Sequence, residues 1–545
     1  MTHRFLCVFS FLFCLITASS AAQALGQEAC EKLKQLRLPD TTIISAESVP
    51  AGPFALPPGQ SPMKSVDMPA FCRVRGEIRP TTDSQIKFEV WMPAAGWNGK
   101  FEQLGNGGLA GTINLFALTG PLKKGFAAAA TDDGHQGAPT DASWAIGHPE
   151  KVKDFGYRAV HETNVKAKRI IAAFYQKPPR YSYFSGCSEG GREALMEAQR
   201  FPEDFNGILA GATAHYWTQL MAAFAWNAQA LGAPASFIPE PKRRAIQDAA
   251  VAVCGKQDGV ADKFIKDPQH CNFDPSALLC KGPDSDNCLS APQVEALKKI
   301  YAGPRNPRTG QPISPGYEPG AEAEPGIPGI SFASYVFGAG PGMSLDSMFS
   351  TAFYAGFVFE NPKWKFTDLN FDKDIATAEE KVGAALNAAD PDLAPFQSHG
   401  GKMIHYHGWN DGSPSPLHSV NYYDHVAEKM GGFRKTQQFY RLYMAPGMMH
   451  CGAGEGPNIF GNPLDFSPAS DPDHNIFLAL QRWVEEGVSP DKIIATKYHE
   501  DDPTKGVEMT RPLCPYPQQA KWTGKGASSD AGNWVCRAPA GEPVR

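Results

Sequence analysis

A five-residue segment, Gly186-Cys187-Ser188-Glu189-Gly190, constrains the fold of this chain more than any other feature. It has the pattern G-x-S-x-G, follows the apolar stretch 181–185 and precedes the helix-like stretch 189–200. In this order, a strand, a strained turn and a helix expose a serine hydroxyl at the end of a parallel sheet. The bare pattern can arise by chance in a glycine-rich chain, but its position between strand and helix indicates a nucleophile. With a further strand at 206–212, the sequence predicts an α/β fold in which Ser188 is the nucleophile.

A serine hydroxyl needs a base that accepts its proton and a carboxylate that orients the base. After a G-x-S-x-G turn, the acid comes first in the chain and the histidine second. Asp411 follows the strand predicted at 402–407, and His450 follows the strand predicted at 436–444. These strands are separated by one predicted helix, so their ends are neighbours. We therefore predict Asp411 as the acid and His450 as the base.

Other histidines downstream of Ser188 are alternatives for the base. His405 and His407 precede the predicted acid, which is the wrong chain order. His418 and His425 lie on the helix predicted between the two strands, facing away from a site at the strand ends. Their placement favours His450.

The N-terminus and the cysteines predict an exported protein. Residues 1–24 combine Arg4, the apolar run 5–17 and an A-x-A cleavage signal at 22–24, as signal peptides do. The apolar run is shorter than the roughly 20 residues that span a bilayer, so we expect no membrane anchor. Removal of this segment takes two of the twelve cysteines. The remaining even number predicts five disulfides in an oxidising compartment, either the periplasm or the extracellular medium.

Charge and composition predict a loop-rich enzyme with an inserted domain. A net charge of -6 leaves no basic patch for nucleic acid. The stretch 215–398, with a Pro/Gly-rich run at 303–329 and an aromatic cluster at 349–364, interrupts the α/β rhythm. We interpret it as a lid domain inserted into a catalytic domain formed by residues 25–214 and 399–545. The aromatic cluster either stacks on an aromatic acyl group or forms the core of the lid.

Two cysteines flank the predicted nucleophile and base. Cys187 precedes Ser188, and Cys451 follows His450. If the serine and the histidine share a hydrogen bond, their neighbours lie within disulfide range. We therefore predict a Cys187–Cys451 disulfide, with pairing of each to another cysteine as the alternative.

These motifs, together with 131–135, 158–161 and 205–211, closely resemble the tannase and feruloyl esterase family over about 30–536. The resemblance implies an α/β-hydrolase fold with a large lid, a catalytic Ser188, and no organic cofactor. It implies a serine esterase that acts on small esters of aromatic acids. Feruloyl esters are the first expectation, and gallate esters or terephthalate monoesters are the alternatives. An inactive phenolic-binding protein and a peptidase of the same fold are the alternatives from other classes.

The resemblance also points to the second oxyanion donor and to a metal. The backbone N–H of Glu189 is the first donor, and the glycine-rich loop 105–108 supplies the second from Gly107 or Gly108. A segment of the predicted lid resembles the family's structural calcium loop, although Gly255 replaces its first aspartate. Oxygen donors suit this hard cation, and a plain disulfide loop is the alternative. The predicted ligands are the carboxylates of Asp258 and Asp262 and the carbonyls of Val260 and Phe264.

Close spacing suggests how the other eight cysteines pair, although sequence alone does not fix connectivity. The suggested pairs are Cys30–Cys72, Cys254–Cys271, Cys280–Cys288 and Cys514–Cys536.

Overall fold

The computed structural model describes residues 27–61, 63–256, 259–324, 327–463 and 469–538. The predicted signal peptide and the predicted calcium ligand Asp258 lie outside these residues. The chain forms two compact units. The first contains the chain up to Leu104, Gly111–Gln136 and Arg158–Tyr183. The second contains Gly105–Ala110, Gly137–Tyr157 and the chain from Phe184 onward. The predicted domain boundaries stay a prediction.

The first unit is built on a mixed sheet. Its strands are β1 (Thr41–Val49), β2 (Gly52–Ala55), β3 (Ser65–Met68), β4 (Phe71–Ile78), β5 (Ile86–Pro93), β6 (Lys100–Leu104) and β7 (Ala127–Thr131). The order β1-β4-β5-β7-β6 is antiparallel except for the parallel β6/β7 pair, and β2 and β3 form a separate hairpin. The α-helices Leu115–Lys123 and Ala159–Tyr175 accompany these strands. The sequence did not predict the first of these helices.

The second unit begins with a parallel βαβ arrangement, which confirms the predicted α/β class. Its parallel-sheet strands are β8 (Tyr181–Cys187, which begins in the first unit), β9 (Gly207–Gly211), β10 (Lys402–Gly408) and β11 (Tyr440–Ala445). Parallel pairing joins β9 to β10 and β10 to β11. The helix Glu189–Arg200 connects β8 to β9. The carboxyl ends of these strands therefore meet at one edge, where parallel α/β sheets bind ligands.

Helices and loops fill the chain between β9 and β10, where the described residues contain no strand. The α-helices of the second unit are Pro149–Lys153, Glu189–Arg200, Trp217–Ala230, Glu240–Cys254, Ala291–Ala302, Leu345–Phe353, Asp374–Ala378, Ala384–Leu386, Ala394–Ser398, Pro416–Lys429, Phe433–Thr436 and Ile476–Glu486. The π-helical segments Tyr354–Val358 and Glu379–Gly383 extend or join some of these helices, and Ala333–Phe337 is a separate π-helical segment. No helix in the described part of the chain is long and apolar enough to cross a membrane.

Two antiparallel pairs follow near the C-terminus, β12 (Ile493–Tyr498) with β13 (Val507–Leu513) and β14 (Gln519–Trp522) with β15 (Trp534–Arg537). Five disulfides stabilise the chain, and all five predicted pairs are confirmed. They are Cys30–Cys72, Cys187–Cys451, Cys254–Cys271, Cys280–Cys288 and Cys514–Cys536.

Candidate active site

Ser188 occupies the sharp turn between β8 and the helix Glu189–Arg200. Its φ of 67° and ψ of -119° are strained for a residue with a side chain. The backbone holds this conformation through three hydrogen bonds: Ser188 N–H donates to the Gly211 carbonyl at 3.0 Å, and the Ser188 carbonyl accepts from Arg192 N–H and Ala214 N–H, each at 3.1 Å. This is the strand-turn-helix geometry predicted for a nucleophilic serine.

The glycines around Ser188 permit close backbone contacts. A Cβ at Gly186 would lie 2.4 Å from the carbonyl oxygen of Gly190. A Cβ at Gly191 would lie 2.3 Å from the carbonyl oxygen of Gly211. Since neither contact leaves room for a side chain, the turn and the helix that follows it require glycine at these positions.

The glycine-rich loop 105–108 packs against the start of the same helix. Gly190 N–H donates to the Asn106 carbonyl at 2.9 Å, and Asn106 N–H donates to Glu193 Oε2 at 2.9 Å. Gly108 has a φ of +62°, which glycine adopts without cost. Glu189 is the first residue of the helix, so its N–H has no intrahelical acceptor. Both predicted sources of an oxyanion donor thus belong to one connected backbone cluster beside Ser188.

A buried ion pair fixes the first turn of this helix. Arg192 Nε donates to Glu189 Oε1 at 2.9 Å, and both side chains are fully buried. The same guanidinium donates to the carbonyls of Phe155 at 2.8 Å and Gly156 at 2.6 Å. The pairing satisfies two buried charges and holds the backbone of Glu189 in place.

Asp411 and His450 meet at the ends of β10 and β11, as predicted. His450 Nδ1 lies 2.8 Å from Asp411 Oδ2, and both side chains are buried. The Cys187–Cys451 disulfide, with its Cα atoms 6.0 Å apart, links the residue before Ser188 to the residue after His450. The base is therefore covalently tied to the nucleophile turn, and its orienting carboxylate is hydrogen-bonded to the base.

Asp411 is ionised despite its burial. Burial alone would raise its pKa, but the charge of His450 and the hydrogen bonds from His407 and His450 lower the pKa below the ordinary value for aspartate. Ser413 N–H also donates to Asp411 Oδ1 at 2.7 Å. The anionic form is the one that orients a histidine base and stabilises its protonated state.

His407 makes a second contact with this carboxylate, which the sequence did not predict. Its Nε2 lies 3.0 Å from Asp411 Oδ2, and its Nδ1 lies 2.7 Å from Ser419 Oγ. Ser419 Oγ lies 2.9 Å from His405 Nε2, whose ring bonds Tyr440 Oη at 2.8 Å. A carboxylate can only accept a hydrogen bond, which fixes the direction of this hydrogen-bond network when the rings are neutral. Tyr440 O–H donates to His405, and His405 donates to Ser419. Ser419 then donates to His407, which donates to Asp411.

Burial supports the neutral state of His405 in this network. It is the main factor that lowers the pKa of His405 well below its ordinary value, and neighbouring histidines lower it further. The nearby ring of His418, which bonds Ser314 Oγ at 2.9 Å, has its pKa lowered to about 3 by burial. The alternation of His405 and His407 on one face of the buried strand β10 was the available sequence signal.

Most of the predicted aromatic cluster belongs to a hydrophobic core that also includes residues before position 215. Phe353, Tyr354, Phe357 and Trp364 are buried there. Phe349 stacks on Tyr335 with ring centroids 6.3 Å apart, and Tyr335 contacts the ring of His450 edge-on at 5.5 Å. Aromatic side chains of this region therefore reach the candidate base.

The predicted calcium ligands lie beside basic side chains. The carboxylate of Asp262 accepts from Arg511 at 3.0 Å, and the carbonyl of Val260 accepts from Lys266 at 3.2 Å. The side chain of Phe264 is buried. Two of the three described donors, Val260 and Asp262, thus contact cations that belong to the chain itself.

Comparison with known proteins identifies the class of protein that this fold and site define. A family model described as tannase and feruloyl esterase matches residues 72–537. The chain is 43% identical to an uncharacterised esterase of Xanthomonas campestris pv. campestris, over 96% of this chain and 92% of that protein. It is 32% identical to a probable feruloyl esterase B-2 of Aspergillus terreus, over 96% of this chain and 99% of that protein. The crystal structure of feruloyl esterase B from Aspergillus oryzae superposes with a TM-score of 0.86 at 30% identity, covering 94% of this chain and 100% of that one.

The protein is a carboxylic ester hydrolase with an α/β-hydrolase fold. It belongs to the tannase and feruloyl esterase family, as the resemblance predicted.

Proposed function

We propose that the protein is an exported serine esterase that hydrolyses feruloyl-type esters through an acyl-enzyme. The observation that supports this most directly is the 2.8 Å contact between His450 Nδ1 and Asp411 Oδ2, combined with the disulfide that ties His450 to the Ser188 turn. A nucleophile, an oriented base and an oxyanion site are the requirements of ester hydrolysis by this route.

The proposed reaction has two half-reactions. His450 accepts the Ser188 proton while Ser188 Oγ attacks the ester carbonyl, and the N–H groups of Glu189 and Gly108 donate to the resulting oxyanion. The carbon–oxygen bond to the alcohol breaks, and His450 delivers the proton to the departing oxygen. Water then attacks the acyl-enzyme with His450 again as base, which releases the acid and restores Ser188.

Aromatic acids are the proposed acyl groups. The edge-on contact of Tyr335 with His450 and the stacking of Phe349 on Tyr335 place flat apolar rings beside the base, where an aromatic acyl group gains stacking contacts. Because related proteins are named feruloyl esterases, we propose ferulate as the acyl group ahead of gallate and terephthalate.

Export is the third part of the proposal. The signal-peptide pattern predicts it, and five disulfides suit an oxidising compartment. Expression of the full chain in a bacterium, followed by N-terminal sequencing of the periplasmic and culture fractions, tests this part. A mature chain that begins at Leu25 is the expected result, and retention of Met1 in the cytoplasm would contradict it.

The substitution Ser188→Ala tests the catalytic assignment. We expect kcat for methyl ferulate to fall by at least about 10⁴-fold, because no other group forms the acyl-enzyme. The control Ser276→Ala removes an exposed serine hydroxyl and should leave kcat unchanged. Retained hydrolysis in the Ser188 variant would refute the nucleophile, and an inactive wild type that binds ferulate would favour the phenolic-binding alternative.

Substrate class is tested on the wild type with three esters and one amide. We expect kcat/KM to be highest for methyl ferulate, lower for methyl gallate and for the mono(hydroxyethyl) ester of terephthalic acid, and undetectable for feruloyl anilide. A preference for gallate or terephthalate would replace the proposed acyl group, and amide turnover would favour a peptidase.

A further inference from the structure

The loop closed by Cys254 and Cys271 contains a side-chain ammonium among the donors predicted for calcium. Lys266 Nζ lies 3.2 Å from the carbonyl oxygen of Val260 and 3.4 Å from Asp262 Oδ2. Only 12% of the Lys266 side chain and 5% of the Asp262 side chain are exposed. A buried cation of the chain therefore lies where these two oxygen donors converge.

A second cation contacts the same carboxylate from the opposite oxygen. Arg511, on β13, donates from Nη2 to Asp262 Oδ1 at 3.0 Å, and its side chain is buried. Each oxygen of Asp262 thus faces one positive charge. Together Lys266 and Arg511 carry the two charges that a divalent ion would bring, and such pairing is what a buried carboxylate requires.

The same contacts put an ammonium at the donors that calcium would need. Calcium binds six to eight oxygens at about 2.3–2.6 Å, and Lys266 Nζ already lies 3.2 Å from the Val260 carbonyl oxygen and 3.4 Å from Asp262 Oδ2. Gly255, where the calcium loop of the family has an aspartate, contributes no carboxylate. The described residues therefore do not fit a calcium ion while Lys266 holds this position.

We infer that Lys266 replaces the structural cation in this protein, so that the loop is stabilised without metal. The replacement also links the loop to the C-terminal strands. Lys266 Nζ and Arg511 Cζ lie 5.7 Å and 4.3 Å from the ring centroid of Trp534 on β15, within the range of cation–π attraction. Gln519 on β14 donates to Asp267 Oδ2 at 2.7 Å. The ammonium acts as a brace between the disulfide loop and β13–β15.

The first test uses the wild-type enzyme. Its thermal unfolding midpoint is measured after exhaustive dialysis against EGTA and again with millimolar calcium, and bound metal is counted by plasma mass spectrometry. We expect equal midpoints and much less than one calcium per chain. One calcium per chain, or a midpoint that falls by several degrees in EGTA, would overturn the inference.

The second test removes the ammonium. Lys266→Met keeps most of the side-chain volume, and Lys263→Met removes an exposed lysine of the same loop as the matched control. We expect the midpoint of the Lys266 variant to fall by roughly 2–4 °C and that of the control to stay within one degree or so. Equal unfolding midpoints for the two variants would show that the Lys266 ammonium does not stabilise the loop.

A third test restores the calcium site. Gly255→Asp combined with Lys266→Ala supplies the missing carboxylate and removes the ammonium, so calcium should raise the midpoint of the double variant and EGTA should lower it. A folded double variant that does not respond to calcium would contradict the exclusion of the ion by Lys266. The new Cβ lies 2.7 Å from the Val251 carbonyl oxygen and requires a small backbone shift. If the double variant does not fold, the comparison of Lys266→Met with Lys263→Met decides whether the Lys266 ammonium stabilises the loop.

Discussion

At the scale of single residues, His407 has the contact that most directly affects the proposed chemistry. It donates to the oxygen of Asp411 that also accepts from His450. A hydrogen bond to a charged group contributes about 1.5–3 kcal/mol. We therefore expect His407→Asn to lower kcat for methyl ferulate by roughly 10- to 100-fold with little change in KM. The loss should be measured by steady-state kinetics.

The control for this effect is His418→Asn. His418 is another buried histidine of the second unit, but it bonds Ser314 rather than Asp411. Without the His407 bond, Asp411 should hold His450 less precisely, so kcat should fall with little change in KM only in the His407 variant. Equal losses of kcat in both variants would indicate a purely structural role for His407.

Asp132 is a buried carboxyl of the first unit with a measurable effect on stability. Burial raises its pKa to about 7, although the N–H groups of Lys87 and Gly134 bond its Oδ1 at 2.8 and 3.0 Å and oppose the rise. The folded state therefore retains a proton that the unfolded chain releases near the ordinary value of 3.8. The contribution of Asp132 to the free energy of unfolding falls as pH rises from about 4 to 7, and it is constant above pH 7.

Asp132→Asn should remove this pH dependence, because the amide oxygen can still accept both N–H groups and the side chain no longer ionises. Urea unfolding between pH 4 and 8 is the measurement. We expect the stability of the variant relative to wild type to rise across this range. Asp67→Asn, which changes an exposed carboxyl on β3, is the control. A difference from wild type that does not vary with pH would contradict the assignment.

Sequence reasoning found residues whose role depends on chain order, and missed residues whose role depends on packing. Asp411 and His450 were predictable because they follow two strands in the order that the serine turn demands. The contact of His407 with Asp411 and that of Lys266 with Val260 depend on side-chain directions in three dimensions. Spacing and residue type carry no information about those directions.

At the scale of elements, the βαβ segment was predictable because local propensity and burial agree. The observed β8, the helix Glu189–Arg200 and β9 lie within two residues of their predicted ends. The helix Leu115–Lys123 was missed because it contains Gly120 and Pro121, two residues that disfavour helices. Burial of its leucines in the core of the first unit stabilises it nevertheless, and tertiary packing of this kind overrides propensity.

A second difference concerns the strand before His450. The sequence predicted it from residue 436, whereas β11 begins at Tyr440 and a short helix, Phe433–Thr436, precedes it. Thr436 is a β-branched residue that favours strands, yet its N–H bonds the carbonyl of Gly432 as the end of that helical turn. The carboxyl end of β11, which positions His450, was predicted to within one residue.

At the scale of the whole chain, the candidate site gathers segments separated by more than 200 residues, and the Cys187–Cys451 bond closes a sequence separation of 264 residues. The chain-entropy relation gives about 5–6 kcal/mol for a loop of this length and about 2–3 kcal/mol for the eight-residue separation of Cys280–Cys288. The long-range bond should therefore matter more to global stability. It alone of the five also adjoins the proposed nucleophile and base.

Replacement of both Cys187 and Cys451 by alanine separates the effect of their bond on global stability from its effect on the catalytic pair. In Cys187→Ala/Cys451→Ala, loss of the tie between Ser188 and His450 should lower kcat for methyl ferulate by roughly 10²-fold, the cost of about 1 Å of misplacement. This should occur at temperatures where near-UV circular dichroism still reports a native fold. Cys280→Ala/Cys288→Ala, which removes a bond that does not adjoin the nucleophile or the base in the sequence, should keep its kcat. If the first variant loses activity only in parallel with its circular dichroism signal, the bond stabilises the fold without positioning the catalytic pair.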